Sequence, residues 1–498
     1  MVLSEVLEGT GAALDAVTAS LEIAGITHDS RRVRPAFAFF ALTGRMADGH
    51  SYAADAMKHG AAACICERRI EGLPLPQVVL PNARRALAFA AANFYGNPQR
   101  RMRLVGVTGT YGKTSTAYML KTIFSHGGYK TALLGTAKGS IGDAAYTPPL
   151  DAAEADEYET MTTPDPEVLY RTLADLAARG VEVTVMEASS HALALDKLAP
   201  IEFALGIFTN LSHEHLDFHG SMENYLAAKA KLFDSCRVGL FNADDAAGRT
   251  LLQNAKCRAV SYGLTPPCDY LAEEIESYGV RGSSYLLHTR GARFRVKTQI
   301  PGSFTLYNTL AAAAAARECG VDLVCIQNAL YALRGIAGRL EKVNLGFMGG
   351  AFTVFIDYAH TPFALENLLR CVRAFRGTGQ RIVTLFGCGG ARDREKRPEM
   401  GRIAVENSDF VILTSDNPRA EEPQAILADI LKGVGKADNY TVIENRREAI
   451  EYAVANALAG DIILLVGKGH EQYEIDKDGL HPFSETEIVQ EAAERYRS

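Results

Sequence analysis

The string Val107-Thr-Gly-Thr-Tyr-Gly-Lys-Thr114 has the residue types and spacing to cradle a chain of phosphates. Gly109 and Gly112 permit sharp turns and close approach of backbone to an anion, and Thr110 stands between them in the candidate nucleotide site. Lys113 puts a point charge against the outer phosphates, Thr114 offers a hydroxyl to Mg²⁺, and Ser115 follows in the first helical turn. Strict P-loop spacing would place glycine at Val107, so this is the shorter G-x-x-G-K-T form. A tight strand–helix turn with a solvated lysine is the plain alternative. The apolar run 104–107 before the string and the helical pattern 115–125 after it favour the phosphate loop, which predicts a nucleoside triphosphate as ligand.

Other polar groups gather just after apolar runs. Glu187-Ala-Ser-Ser-His191 follows the run 181–186. A carboxylate there suits Mg²⁺, while Ser189 and Ser190 suit a helix N-cap, and both roles are compatible. In Thr209-Asn-Leu-Ser-His-Glu-His-Leu-Asp-Phe-His219 the residues His213, His215, Asp217 and His219 alternate. Zinc sites favour helical or C-x-x-C spacing, so one histidine assisting Mg²⁺ is the more economical reading, beside simple helix capping. Lys229 and Lys231 in Tyr225-Leu-Ala-Ala-Lys-Ala-Lys231 read by residue type as solvated charges. Asp357-Tyr-Ala-His-Thr-Pro362 ends another run, with Pro362 fit for a first helical position. The loop Gly387-Cys-Gly-Gly-Ala-Arg-Asp-Arg-Glu-Lys-Arg-Pro398 is rich in cations, and arginine suits bidentate carboxylate or phosphate contacts. Ser415-Asp-Asn-Pro-Arg419 and Val466-Gly-Lys-Gly-His-Glu471 add acids and bases at further strand ends. Together they suit a zwitterionic substrate, and Cys388 between glycines is a candidate reactive thiol.

The elements that must position these groups fall in three blocks. A length of 498 residues suggests about three domains of ~150 residues. The first block, 1–101, mixes short strands such as 36–42 with helices 52–59 and 83–94; the basic stretch after Tyr95-Gly-Asn-Pro98 reads as a linker. The second, 102–336, alternates strands 181–186, 203–209 and 238–242 with helices such as 222–233. It turns β-rich from 255 to 300, and the alanine run 311–316 lies in a helix with Asn308 near its start. The third, 337–498, alternates strands 352–356, 381–386, 410–414 and 461–466 with helices 362–375 and 423–434. The fold class is therefore α/β with mostly parallel sheets, the last block Rossmann-like. Ligands gather beyond the carboxyl ends of such strands, which puts function between the second and third blocks.

Composition narrows the class. The chain is 47% apolar and 22% charged with a net charge of −7, as expected of a globular protein without a broad nucleic-acid surface. No run of eighteen apolar residues predicts a membrane helix, and the acidic start of the chain does not resemble an export signal. Nine cysteines without a disulfide rhythm fit a reduced cytoplasmic setting, with Cys64 and Cys66 either a redox or metal pair or core filler.

With His28-Asp-Ser-Arg31 and Thr162-Thr-Pro-Asp-Pro166, these strings resemble the Mur ligases of bacterial cell-wall synthesis along essentially the whole chain. They are most similar to the branch adding the third peptide residue. The resemblance implies an N-terminal UDP-substrate domain, a central ATP-binding domain and a C-terminal amino-acid-binding domain. It implies a reaction in which ATP phosphorylates the D-glutamate carboxylate of UDP-MurNAc-L-Ala-D-Glu and the amine of an amino acid attacks the acyl phosphate. Lys113 would hold the β/γ-phosphates, Thr114 and Glu187 one Mg²⁺, and His215 the second. Lys229 would be carbamylated, giving a carboxylate-like group near the metal. Asn308, Arg339, Asp357 and His360 would hold the nucleotide, Ser30 the uridine diphosphate, and Thr162, Thr163, Ser190 and Lys197 the sugar-peptide. Asp416-Asn-Pro-Arg419 resembles the meso-diaminopimelate-adding signature, in which Arg419 pairs a second carboxylate that lysine lacks; Arg392, Asp416, Asn417, Gly467 and Glu471 match the remaining contacts. The resemblance implies small-molecule partners only, no nucleic acid or membrane, and a monomer. Tyr111, Thr305, Phe363 and Lys197 depart from the family's usual residues.

Overall fold

Strands buried on both faces read as unbroken apolar runs, and such runs build the two sheets that carry the site. The computed structural model describes residues 1–44, 47–136, 139–346 and 351–495. It divides into two units, 1–271 with 288–291 and 310–326, and 272–287 with 292–309 and 327–498.

The first unit holds a small sheet and a large one. The small sheet runs β1 (Gly25–Thr27), β2 (Phe37–Ala41), β3 (Ala63–Cys66) and β4 (Gln77–Val79) in chain order, all parallel. Helix Ala83–Phe94 covers it with an alanine-rich face, started by Asn82, whose side chain accepts from Arg85 N at 2.8 Å. Cys64 and Cys66 are buried in β3 as core. In the large sheet β5 (Arg103–Thr108) lies between β9 (Val183–Glu187) and β10 (Phe203–Phe208), both parallel to it. Beyond β10 come β11 (Cys236–Asn242) and β12 (Arg258–Gly263); beyond β9 come β6 (Thr131–Leu134) and the short antiparallel β7 (Ser140–Ile141) and β8 (Ala144–Ala145). The expected helices appear as Lys113–His126 and Met222–Asp234; later in the chain the β-rich stretch appears as Tyr270–Ser277, Ser283–Thr289 and Ala292–Thr298, most of it in the second unit.

The supposed linker after Tyr95 is instead packed. Residues Pro98–Arg100 form a 3₁₀ turn with Pro98 and Gln99 buried, entered through Asn97 at φ 51°. The charges of Arg100 and Arg101 hid two inward-facing neighbours.

In the second unit β13 (Glu341–Lys342) is antiparallel to β14 (Thr353–Asp357), followed by β18 (Ile462–Val466), β15 (Ile382–Phe386), β16 (Phe410–Leu413) and β17 (Tyr440–Val442), all parallel. Helices Pro362–Phe375 and Pro423–Val434 stand where the sequence predicts them. Apolar cores lie on both faces of this sheet. A two-stranded hairpin, β19 (Tyr473–Asp476) and β20 (Gly479–Pro482), follows β18.

Candidate active site

The phosphate loop leaves β5 at the centre of its sheet, so the ends of β9 and β10 flank it. Register pairs Val107 with Glu187 and Thr108 with Phe208. Gly109 must be glycine: a Cβ there would overlap Thr209 Oγ1 and lie 3.1 Å from Asn210 N, and Gly112 is left-handed at φ 81°. The post-β10 loop clamps the turn, with Thr110 N donating to Asn210 O at 2.9 Å and Tyr111 N to Asn210 Oδ1 at 3.0 Å. Lys113 Nζ donates to Gly109 O at 3.1 Å and Thr110 O at 2.8 Å, curling over the loop.

Lys229 is not the solvated charge its residue type suggested. Its side chain is 1% exposed, donates to Gly109 O at 2.7 Å and lies 4.4 Å from the Tyr225 ring centroid. Burial and the nearby Lys113 ammonium hold it well below the usual lysine range. Two lysine Nζ atoms converging on one carbonyl make a centre that favours an anion or a neutral amine. His215 begins a short helix at φ 56°. Burial, then His191 and Lys113, push its imidazole down to about 4, leaving a neutral ring able to accept or ligate.

Thr114 Oγ1 donates to Glu187 Oε2 at 3.0 Å, and Glu187 is 1% exposed at the end of β9. Thr136 N holds Glu187 Oε1 at 2.9 Å, and Thr136 Oγ1 meets Thr162 Oγ1 at 3.0 Å. A hydroxyl and an anchored carboxylate are hard oxygen donors, which fits Mg²⁺ rather than a soft metal. Among the described residues no group of three or more His, Cys, Asp or Glu side chains is arranged to hold a metal; His219 stacks on Tyr225, and His191 meets His215 edge-on and Phe218 at a tilt.

One cavity of about 340 Å³ is lined by Lys113, Thr162, Thr163, Ser190, Lys197 and Lys229, with His215 at its wall. It therefore joins the phosphate loop to the residues expected at the sugar-peptide. Thr163 Oγ1 donates to Glu187 O at 2.8 Å, and Ser190 Oγ meets His219 Nε2 at 3.0 Å. Lys197 pairs with Asp165 at 2.7 Å. Ser30 opens the 3₁₀ turn Ser30–Arg32 capped by Asp29. That turn borders a second cavity of about 410 Å³ walled by Arg31, Arg32, Arg171, Glu154 and Glu167, with Ser30 not among its lining residues. Next to it His28 Nδ1 meets Glu167 Oε1 at 2.7 Å, and that carboxylate pushes the imidazole up to about 9.

The second unit gathers the remaining candidates at the ends of its parallel strands. Asp357 accepts from Leu340 N at 2.7 Å and Ala359 N at 2.9 Å. Its carboxylate thus fixes the backbone beside Arg339, whose guanidinium lies 5.1 Å from the Tyr358 ring. His360 Nδ1 meets Tyr358 O at 2.8 Å, and Asn308 is buried on helix Ser303–Glu318. Asn417 Nδ2 donates to Glu471 Oε2 at 2.7 Å, and Arg419 at φ 55° donates through Nη1 to Gly390 O at 2.9 Å. Gly467 is needed at φ 117°, since a Cβ would lie 2.6 Å from Asp416 Oδ2. Arg392 is exposed on the adjoining loop. Cys388 corrects the expectation of reactivity: it is 3% exposed with its Sγ 3.8 Å from Met400 Sδ, and burial pushes its thiol up to about 12. Local motifs pointed to most of these groups but not to Thr136, Glu154, Glu167 or Arg171, which act through neighbours distant in sequence.

A phosphate loop with an anchored carboxylate, on a parallel sheet beside a polar cavity, defines a nucleotide-binding α/β protein. Comparison with known proteins makes the class specific. The Mur ligase family catalytic domain matches residues 22–95, the Mur ligase middle domain 107–316, and the Mur ligase glutamate ligase domain 338–469. A relative from Clostridium tetani, UDP-N-acetylmuramoyl-L-alanyl-D-glutamate--2,6-diaminopimelate ligase, is 40% identical over 478 residues, 95% of each chain. A solved structure of an enzyme with that name superimposes with a TM-score of 0.71 at 30% identity, covering 100% of this chain and 99% of that one. Mycobacterium tuberculosis folylpolyglutamate synthase shares the fold alone, with a TM-score of 0.62 at 19% identity over 82% of this chain and 94% of its own. The chain belongs to the Mur ligase family.

Proposed function

We propose that this chain is an ATP-dependent ligase joining meso-diaminopimelate to the D-glutamate carboxylate of UDP-MurNAc-L-Ala-D-Glu, in peptidoglycan-precursor synthesis. The observation that carries the reading is the single cavity bordered by Lys113 of the phosphate loop and by Thr162, Thr163, Ser190 and Lys197. Phosphoryl transfer to a carboxylate needs donor and acceptor in one enclosure, where catalysis is positioning and charge neutralisation. Lys113 draws the outer phosphates, and Lys197, steadied by Asp165 at 2.7 Å, faces the acceptor carboxylate. Thr114, Glu187 and His215 would hold Mg²⁺, which when bound neutralises the phosphate charge. Lys229, held well below the usual lysine range by burial and Lys113, is suited to add carbon dioxide with loss of a proton, becoming an anionic carbamate beside the phosphate loop. The carboxylate oxygen attacks the γ-phosphorus and ADP leaves; the amine of the amino acid then adds to the acyl phosphate, and the tetrahedral intermediate expels phosphate.

Arg419, Arg392 and Glu471 supply the charges that a zwitterion with a second carboxylate requires. In this reading Asn308, Arg339, Asp357 and His360 are nucleotide-binding residues, Ser30 a uridine-diphosphate-binding residue, and Asp416, Asn417 and Gly467 amino-acid-binding residues. The proposed partition is 1–101, 102–336 and 337–498, in a cytoplasmic monomer. The test is phosphate release from ATP with UDP-MurNAc-L-Ala-D-Glu, comparing meso-diaminopimelate with L-lysine. Release with diaminopimelate alone supports the reading; release with lysine alone overturns the specificity, and silence with both overturns the activity.

A further inference from the structure

Lys468 has no assigned role, yet it is a lysine with 0% exposure in the second unit. Its Nζ donates to Asn417 Oδ1 at 2.8 Å and to Tyr473 O at 2.9 Å, lies 3.8 Å from Asp416 Oδ1, and stands 5.3 Å from the Phe483 ring centroid. A lysine is removed from water only where its partners are well placed. These partners belong to the strand-end loop 415–419 and the hairpin β19–β20.

An ammonium group has donors and no acceptor, so the Asn417 atom facing it must be oxygen. Ile475 N donates to the same Oδ1 at 3.0 Å. With the oxygen held by two donors, the amide nitrogen must face the other way, where it meets Glu471 Oε2 at 2.7 Å. Arg419 N in turn donates to Ile475 O at 2.9 Å, so the arginine's backbone is tied to the hairpin that Lys468 also holds. The buried cation and Ile475 N together set which end of Asn417 faces Glu471, and the cation also ties the loop to the hairpin segment that holds Arg419.

We propose that Lys468 is a positioning residue for amino-acid recognition, acting through Asn417 and hairpin β19–β20 without touching the substrate. The inference deepens the proposed ligase function and rests on it for its kinetic readout. Without the ammonium, Ile475 N alone holds the oxygen, and the less restrained Asn417 amide samples the flipped state that presents its oxygen to the Glu471 carboxylate and repels it.

The test is Lys468→Met in the full chain, with Lys468→Gln as second variant should the first fail to fold. A lost hydrogen bond to a charged group predicts a rise of about tenfold to hundredfold in KM for meso-diaminopimelate with Lys468→Met, and a smaller rise with Lys468→Gln. KM for ATP and for UDP-MurNAc-L-Ala-D-Glu should stay within about twofold, because those sites do not use the Asn417 amide. In the Asn417→Ala background Lys468→Met should add little, because the two act as one unit. Amide hydrogen exchange of residues 415–420 and 473–477 should accelerate in either variant. An unchanged KM for diaminopimelate, a uniform rise in all three KM values, or unchanged exchange in those segments would overturn the inference. If the wild-type enzyme ignores diaminopimelate, the ligase reading falls by itself, and the exchange comparison still decides whether Lys468 holds the loop.

Discussion

Replacing Gly135 by alanine should cripple the reaction without touching any residue of the phosphate loop. A methyl at this position would lie 2.6 Å from Glu187 Cγ and 2.7 Å from Glu187 Cδ. Carbon atoms rest at about 3.5–4.0 Å, so the carboxylate must retreat by about 1 Å. It cannot do so while keeping Thr136 N on Oε1 at 2.9 Å and Thr114 Oγ1 on Oε2 at 3.0 Å. Misplacing a reacting group by about 1 Å costs on the order of 10²-fold in rate, or about 2.7 kcal/mol of barrier. Overpacking adds a stability loss of about 1–3 kcal/mol, so rates should be taken well below the variant's unfolding temperature. The assay is initial phosphate release across a Mg²⁺ titration. The expected result is a higher Mg²⁺ requirement and kcat/KM down by about 10²-fold. A variant within about threefold of wild type, a barrier change of only about 0.7 kcal/mol, would refute the assignment of Glu187 as an immovable ligand.

Three further predictions follow from the same geometry. Arg419→Ala should reduce the preference for meso-diaminopimelate over L-lysine by about 10²-fold or more, measured as the ratio of kcat/KM values; an unchanged ratio would remove Arg419 from recognition. With ¹³C-bicarbonate, Lys229 should give a carbamate carbon signal by NMR that Lys229→Met lacks, and that variant should lose about 10²–10³-fold in kcat; a signal persisting in the variant would refute the site. His28 is raised to about 9 by Glu167, so its contribution to stability is fully present below about pH 6.5, the ordinary histidine value, and is lost as pH rises through about 9. His28→Asn should therefore cost about 1 kcal/mol more stability at pH 6 than at pH 10, kept to that size because the ring is partly exposed to screening solvent, and this is read by denaturant unfolding at the two pH values. An equal loss at both pH values would contradict this.

The parts legible in the sequence were those whose meaning is local. The glycine spacing of residues 109–114 dictates the turn, and each apolar run ending in an acid or histidine marks a strand end where ligands gather. Residues whose role depends on strand register were not legible. Thr136 reaches Glu187 only because β6 pairs with β9, Leu134 opposite Met186, and nothing in its neighbourhood announces that contact. Burial was equally hidden: Lys229 and Lys231 differ by two positions, yet one is 1% exposed and the other pairs with Asp196 at the surface. The helix Met222–Asp234 turns Lys229 under the phosphate loop and Lys231 away from it. Cys388 misled in the opposite direction, its flanking glycines suggesting access that the Met400 contact denies.

The most direct test of the account follows oxygen through the reaction. UDP-MurNAc-L-Ala-D-Glu labelled with ¹⁸O in the D-glutamate side-chain carboxylate is incubated with ATP, Mg²⁺, meso-diaminopimelate and the enzyme, and both the nucleotide product and the released phosphate are weighed by mass spectrometry. The expected products are a UDP-MurNAc-tripeptide containing diaminopimelate and phosphate carrying one ¹⁸O atom each, because the amine displaces the oxygen that had bonded to phosphorus. Unlabelled phosphate, or phosphate without tripeptide, would contradict it.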